Sequence, residues 1–313
     1  MSALYLPDAV LDELAIAPPE LADAIEAALI DKAEGRLHVS PKSALLPGEG
    51  RYMMSTLAVG DVTVVKQVTV SPENPGRDLP AINGAILVLD AQTGLLRAVM
   101  GANWVTAHRT AALSAVAARR LAPAGAETIA FVGCGVQARS HLAAFQALFP
   151  LKQVVAFGRG PANVDALCAY SEDRGLAAHA APSAEDALRA ADIVVTSITL
   201  DYATAPFLDA RWLKPTAFAA ITDLCIPWMP DGMGAFGTVV VDDMEQERAS
   251  ETPMLPADQI AGDLTDLVTD RIEIRDASGP TAFAFRGIAL GDYAAAKLAL
   301  RRAVDVGAGQ TLA

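Results

Sequence analysis

Cysteine is scarce in this chain, with three in 313 residues, at positions 134, 168 and 225. They are far apart, odd in number and without metal-ligand spacing, so neither a disulfide framework nor a metal site is expected, and a reducing, cytoplasmic setting fits. Long apolar runs are missing too. None reaches the roughly 18 residues that a membrane span needs, and the N-terminus lacks a basic stretch followed by an apolar core, so neither a membrane partner nor a secretory signal is expected. Basic charge is in short supply: 24 Lys and Arg stand against 37 Asp and Glu, for a net charge of −13. Without a basic cluster, nucleic acid is not an expected partner, and the negative charge reads as solubility. Internal repeats and low-complexity segments are absent as well. What remains is 52% hydrophobic and 19% charged, a globular composition long enough for two domains or one large one.

The most organised stretch is Thr128-Ile-Ala-Phe-Val-Gly133-Cys-Gly135-Val-Gln-Ala138. Strand character runs straight into a Gly-x-Gly-x-x-Ala turn, and Ala138, Leu142, Phe145 and Phe149 then recur at helical spacing. Gly133 permits the tight turn, Gly135 lets the backbone approach a pyrophosphate, and small Ala138 lets helix and strand pack closely. The helix N-terminus offers N–H groups and the positive end of a dipole to phosphates. The plain alternative is a glycine turn in an ordinary α/β layer; the strand–turn–helix context favours a dinucleotide site. The next strand, residues 153–157, ends at Gly158-Arg159-Gly160. An acidic residue there would bond the ribose hydroxyls of NAD, whereas an arginine suits a 2′-phosphate, so Arg159 tilts the choice toward NADP.

Elsewhere the pattern predicts a helix over 19–33, a turn-rich piece over 41–50, and a strand over 62–70. In that strand Val62, Val64, Lys66, Val68 and Val70 share one face. Lys66 therefore sits in the middle of an apolar surface. Either it guards an edge or snorkels to water, or its ammonium meets an anion or shifts its pKa. Residues 86–89 and 95–100 read as a hairpin around Asp90 to Gly94. Thr106 reads as the N-cap of a helix over 107–121, with His108 and Arg109 in its first turn. Cations there oppose the helix dipole, so Arg109 is either simply solvated or gripping an anion. Residues 123–127 form a Pro/Gly linker, and near-continuous apolar strands follow at 192–198, 216–221 and 238–241, as a sheet covered on both faces requires. Asp223 lies just past a strand's C-terminal end, where ligands of open α/β sheets bind, though it could equally cap a turn, as Asp242 and Asp243 are expected to do. A short strand at 283–286 and a helix from 292 to 305 close the chain.

The order of these motifs resembles the ornithine cyclodeaminase/mu-crystallin family over nearly the whole chain. The resemblance rests on Lys66-Gln-Val, Leu79-Pro80, Ile86-Leu-Val-Leu-Asp90 with Thr93-Gly94, and Val105-Thr106-Ala-His-Arg109-Thr110-Ala-Ala. Phe131-Val-Gly133-Cys-Gly135-Val-Gln-Ala138 and Gly287-Ile-Ala-Leu-Gly-Asp292 complete it. It implies an α/β fold in which a Rossmann-type domain, residues 123–280, is framed by a split α+β substrate-binding and dimerisation domain, residues 1–122 and 281–313, in a homodimer. It also implies Lys66 and Arg109 as substrate-carboxylate residues, Asp223 with Lys66 as the catalytic pair, and Gly133, Gly135, Val136, Gln137, Ala138, Arg159 and Thr110 as cofactor contacts. The chain departs from the family at three places. Ser43, beside Lys42, stands where an arginine is usual, which makes Lys42 a further carboxylate candidate. Gly101-Ala102 replaces an Asp-Gly. Leu224-Cys-Ile-Pro227-Trp-Met-Pro230 replaces the Pro-Gly-Lys and Glu that follow the aspartate.

The expected function is NAD(P)-dependent hydride transfer at the α-carbon of a small amino or cyclic imino acid, as in a ketimine reductase or amino-acid dehydrogenase. Two alternatives stand beside it: an ornithine cyclodeaminase that borrows and returns the hydride, and a nucleotide-binding protein without turnover. Arg159 leans toward the reductase, because NADP is the usual reducing cofactor, and Ser43 leans away from ornithine.

Overall fold

The computed structural model describes residues 3–272 and 279–312, which fall into two compact units. One comprises Met1–Arg109 with Gly287–Ala313, the other Thr110–Arg286. The expected linker at 123–127 thus lies within the second unit, because a single unbroken helix carries the chain from one unit into the other.

The first unit holds β1 (Ala3–Leu6), β2 (His38–Val39), β3 (Ser43–Gly48), β4 (Arg51–Val59), β5 (Val62–Val70), β6 (Ile82–Asp90), β7 (Leu96–Gly101) and β16 (Gln310–Leu312). They form one sheet in the order β16-β1-β7-β6-β5-β4-β2, with β3 also paired to β4. Helices α1 (Asp8–Glu13), α2 (Pro18–Ala33) and α9 (Ala289–Val306) belong to the same unit, and α9 packs on β4, β5 and β6 with α2 against it. The alternation in β5 does what period-2 patterning demands: Val64, Lys66 and Val68 are buried while Gln67 is exposed. The piece at 41–50, read as turns, instead contains strand β3, because β4 offers a partner edge from Ser43↔Ser55 to Gly48↔Arg51.

Helix α3 (Ala102–Leu121) starts five residues earlier than the Thr106 cap predicts. The Trp104 N–H donates to Asp8 Oδ1 at 2.8 Å, so a carboxylate distant in sequence serves the helix start. Gly101 makes room for it: a Cβ there would lie 2.6 Å from the Asp8 carboxyl carbon. Thr106 is therefore inside the helix, and Arg109 closes the second turn rather than occupying the first. The dipole argument for Arg109 falls with that shift, since the effect fades within the first turn.

The second unit contains β8 (Thr128–Val132), β9 (Gln153–Phe157), β10 (Ala177–Ala180), β11 (Ile193–Thr196), β12 (Phe218–Ile221), β13 (Thr238–Val241), β14 (Ile260–Asp263) and β15 (Thr281–Ala284). Its sheet has the order β10-β9-β8-β11-β12-β15-β13-β14, and every pairing is parallel. Counted from β8, the first five strands follow the 3-2-1-4-5 order of a Rossmann fold, with the strand order reversing between β8 and β11. Helices α4 (Val136–Gln146), α5 (Pro161–Glu172), α6 (Ala184–Ala190), α7 (Met244–Arg248) and α8 (Leu264–Val268) make the connections. β11, β12 and β13 are buried at every position, as strands covered on both faces must be. Ser183 caps α6 and Asp243 caps α7, each accepting a backbone N–H three residues on, while Asp242 accepts the Arg286 N–H at 3.2 Å. No helix among the described residues is long and apolar enough to cross a membrane.

Candidate active site

The glycine loop lies at the carboxyl end of β8, beside the reversal in strand order, where doubly wound sheets bind nucleotides. Gly133 has φ +96°, and a Cβ on it would meet the Ser197 carbonyl oxygen at 2.5 Å, so backbone and packing both demand glycine. Its N–H donates to the Phe157 carbonyl at 2.9 Å, and the Ser197 hydroxyl donates to its carbonyl at 3.3 Å. Gly135 differs. Its φ of −88° suits any residue, and a Cβ would meet nothing within 4 Å. Nothing in the chain itself calls for glycine there, which is what a backbone shaped for a close-lying phosphate requires. Gly135 is the N-cap of α4, and no side chain caps that helix start. Val136 is 62% exposed in the first turn, Gln137 follows it, and Ala138 is fully buried against the sheet.

Two further features tie this loop down. His141 is buried, with Nδ1 2.8 Å from the Gln137 carbonyl and Nε2 3.0 Å from Ser114 Oγ on α3. Burial pushes its pKa down to about 4, so it is neutral, Nδ1 donates and the Ser114 hydroxyl is the donor toward Nε2. Thr110, one turn before Ser114 on α3, is buried. Burial pushes the Cys134 thiol up to about 11, so it adds no charge to the loop. Arg159 is exposed just beyond β9 and makes no ion pair among the described residues, so its guanidinium is available to solvent-borne anions.

Asp223 follows β12 at the same carboxyl edge and is completely buried. It accepts the Thr196 hydroxyl at 3.0 Å and the Ile198 N–H at 3.1 Å, and the Trp228 indole N–H in turn donates to Thr196 Oγ1 at 3.3 Å. Burial dominates and pushes its pKa up to about 7, the two hydrogen bonds only partly offsetting it. A carboxyl poised at neutrality can give or take a proton. Leu224 and Cys225, which follow it, both adopt left-handed φ, 59° and 58°. Such residues cost about 1 kcal/mol or more each and are tolerated where a site needs a particular aim. The segment that departs from the resembled pattern, Leu224 to Pro230, thus begins with two left-handed residues directly after Asp223.

In the first unit, Lys66 and Arg109 come together on one carboxylate, that of Asp292 near the start of α9. Asp292 Oδ1 accepts from Lys66 Nζ at 2.6 Å and stands 3.0 Å from Arg109 Nε, a charge contact; Oδ2 accepts the Thr56 hydroxyl at 3.0 Å. Lys66 and Asp292 are each 1% exposed and Arg109 5%. Burial pushes Lys66 down to about 8, the Arg109 charge adds to this, Asp292 opposes it, and Lys42, half-buried, pushes down again. The pKa of Asp292 is lowered: burial would raise it, but Lys66 and Arg109 outweigh that. Lys66 is thus an ammonium and Asp292 a carboxylate at pH 7. Lys66 is therefore neither a gatekeeper nor a snorkelling residue. The shared anion that its position and that of Arg109 call for is supplied by the chain itself. Asp292 stands in the sequence as the last residue of a family motif with no role attached, and Thr56 was not picked out; an acid in the first turn of a helix reads as an ordinary dipole partner.

Among the described residues no group of three or more His, Cys, Asp and Glu side chains could hold a metal ion. The sequence profile of the Ornithine cyclodeaminase/mu-crystallin family matches residues 3–306. The ketimine reductase mu-crystallin of Rattus norvegicus is 30% identical over 245 residues, covering 77% of this chain and 76% of that protein. Among solved structures, an archaeal alanine dehydrogenase dimer with bound NAD superposes with a TM-score of 0.89 at 25% identity, covering 100% of this chain and 99% of that one. A lysine cyclodeaminase solved for its recognition of L-lysine, L-ornithine and L-2,4-diaminobutyric acid gives a TM-score of 0.87 at 26% identity, covering 100% of this chain and 95% of that one. With the glycine loop, the Rossmann strand order and a family match running almost from end to end, the chain belongs to the ornithine cyclodeaminase/mu-crystallin family of NAD(P)-dependent enzymes.

Proposed function

We propose that the protein is an imino-acid reductase that uses NADPH to reduce the C=N bond of a small, cyclic α-imino acid. The observation that carries this reading is the convergence of Lys66 and Arg109 in the interior of one unit. Asp292 sets one negative charge against their two positive ones, and an ammonium beside a planar guanidinium suits the binding of a carboxylate. Lys42 adds to the same positive field. In this reading Lys66 and Arg109 hold the substrate carboxylate and so fix the imine carbon and nitrogen. A bound NADPH would supply the hydride for such a reduction, and the Asp223 carboxyl, protonated below about pH 7, is the proposed source of the proton. Gly133, Gly135, Val136, Gln137, Ala138 and Thr110 would hold the cofactor, and Arg159 would bind the 2′-phosphate, as its exposed place beyond β9 allows. The name of the rat relative, a ketimine reductase, supports this chemistry.

The active form in this reading is a homodimer. Leu57, Val65, Leu87, Val99 and Tyr5 are cross-strand neighbours in one apolar row over five strands. Thr56 and Lys66 point toward α9, so this row lies on the opposite face, and Leu57, Tyr5 and Leu87 are 38%, 40% and 41% exposed. The archaeal relative is a dimer. Three free cysteines accord with a cytoplasmic setting.

The test is absorbance at the reduced-nicotinamide band while cyclic imino acids and basic amino acids are screened with both cofactors. Substrate-dependent oxidation of NADPH is the expected result. Product formed from a diamino acid without net change in absorbance would instead identify a cyclodeaminase, and cofactor binding without turnover a binding protein.

A further inference from the structure

We infer that Asp292 is a positioning residue of the carboxylate-binding pair: it fixes Lys66 and Arg109 relative to each other so that both meet one substrate carboxylate. The inference rests on the reading of Lys66 and Arg109 given above. Its geometry is specific. The three groups on Asp292 come from three different elements, Thr56 on β4, Lys66 on β5 and Arg109 on α3, while Asp292 itself comes from α9. Oδ2 is held by Thr56, so the carboxylate plane cannot turn freely, and Oδ1 is thereby presented to Lys66 and Arg109 together. A long lysine and a long arginine each lose about 2 kcal/mol of rotamer freedom when fixed. Fixing both in advance on one internal anion means that substrate binding no longer has to do so. Asp292 is also the anion that opposes the burial, Arg109 and Lys42 effects on Lys66, so it keeps Lys66 cationic at neutral pH.

A merely structural counter-ion would make different predictions. In Asp292→Asn, kcat/KM should fall roughly 10- to 100-fold, the range found when a partner that orients a ligating side chain is removed. Nucleotide Kd, a property of the other unit, should stay within about twofold. The pH profile discriminates further. Beyond the step near pH 7 set by Asp223, the wild-type profile should fall a second time as Lys66 deprotonates above about pH 8. In Asp292→Asn that fall should begin at lower pH, because the opposing anion is gone while burial, Arg109 and Lys42 remain. Asp292→Glu, which keeps the charge, should hold the fall near its wild-type position. A profile that does not move in Asp292→Asn overturns the inference.

Asp292→Asn leaves two buried cations without that partner and could fail to fold. Lys66→Met with Asp292→Asn removes one charge of each sign and so retains the balance. With Lys66 gone Asp292 has only Arg109 left to position, so this double variant should fall below Lys66→Met in kcat/KM by less than about 10-fold. A larger loss overturns the inference even if the single variant cannot be prepared. Normal turnover by Lys66→Met and Arg109→Met would instead remove the carboxylate pair itself, a failure recognisable without any Asp292 variant.

Discussion

Replacing Lys66 by methionine should stabilise the protein at neutral pH while it disables the enzyme. Lysine in the unfolded chain titrates near 10.5, and in the folded protein burial brings Lys66 down to about 8 in spite of Asp292. The folded state therefore disfavours the ammonium relative to water by roughly 3 kcal/mol at pH 7. Methionine has nearly the same length and no charge, and Asp292 keeps its contact with Arg109, so the core is left neither hollow nor with an unpaired anion. The sign follows from linkage. A base whose folded pKa is lowered binds more protons when unfolded, so wild-type stability rises with pH between about 8 and 10.5. The advantage of Lys66→Met should accordingly be largest below pH 8, fall to roughly 2 kcal/mol at pH 9 and drop under about 1 kcal/mol at pH 10. Asp292 ionises well below this window and adds no slope to it. Urea denaturation of both proteins at pH 7, 8, 9 and 10 measures the difference directly. A methionine variant less stable than wild type at pH 7, or an advantage that stays constant with pH, would refute the view of Lys66 as an ammonium held in the core at a cost.

The other predictions concern the second unit. Gly135→Leu should leave the thermal midpoint nearly unchanged, since the chain offers a side chain there open space, yet weaken nucleotide binding on the order of 100-fold, about 3 kcal/mol. Gly133→Ala, by contrast, should lower the midpoint because of its clash with Ser197; calorimetry together with nucleotide titration separates the two. Arg159→Ala should raise the Kd for NADPH much more than that for NADH, and equal losses, or a wild type that prefers NADH, would count against the 2′-phosphate role. Reduction should decline as pH rises through about 7, where Asp223 loses its proton, and Asp223→Asn should remove both that decline and most of the turnover; a step surviving near pH 7 would assign the proton to another group.

Much of this arrangement was legible because it is local. The period-2 alternation of β5 placed Lys66 inward, and the strand–glycine–helix order placed the nucleotide loop, since each depends on neighbours a few residues away. The part Asp292 plays was not legible, although it ends a family motif, because it meets Lys66 across 226 residues of sequence and nothing in its own helix marks that meeting. The start of α3 was misplaced for the same reason: a distant carboxylate, Asp8, serves the helix start, and Thr106 lies inside the helix. Strands β1, β10, β14 and β16, three or four residues each, are too short to display a period and exist because an edge awaits them. The turn-rich piece holding β3 shows the same dominance of pairing over propensity.

The split of the first unit also has a consequence for how the protein is made. Residues 110–286 are continuous in sequence, so that unit can fold as soon as it leaves the ribosome. The other cannot. β1 lies between β7 and β16, and the helix that covers β4, β5 and β6 is the penultimate element of the chain. At typical elongation rates of about 5–20 residues per second, the 226 residues from Lys66 to Asp292 take roughly 10 to 45 seconds to synthesise. For that interval a nascent chain presents an apolar sheet face with a lysine at its centre and neither its counter-ion nor its cover. That lysine is a charge placed within an otherwise sticky surface, the kind of residue that discourages premature association. The group that later pairs with Asp292 would thus serve first as a solubilising charge on a half-made protein.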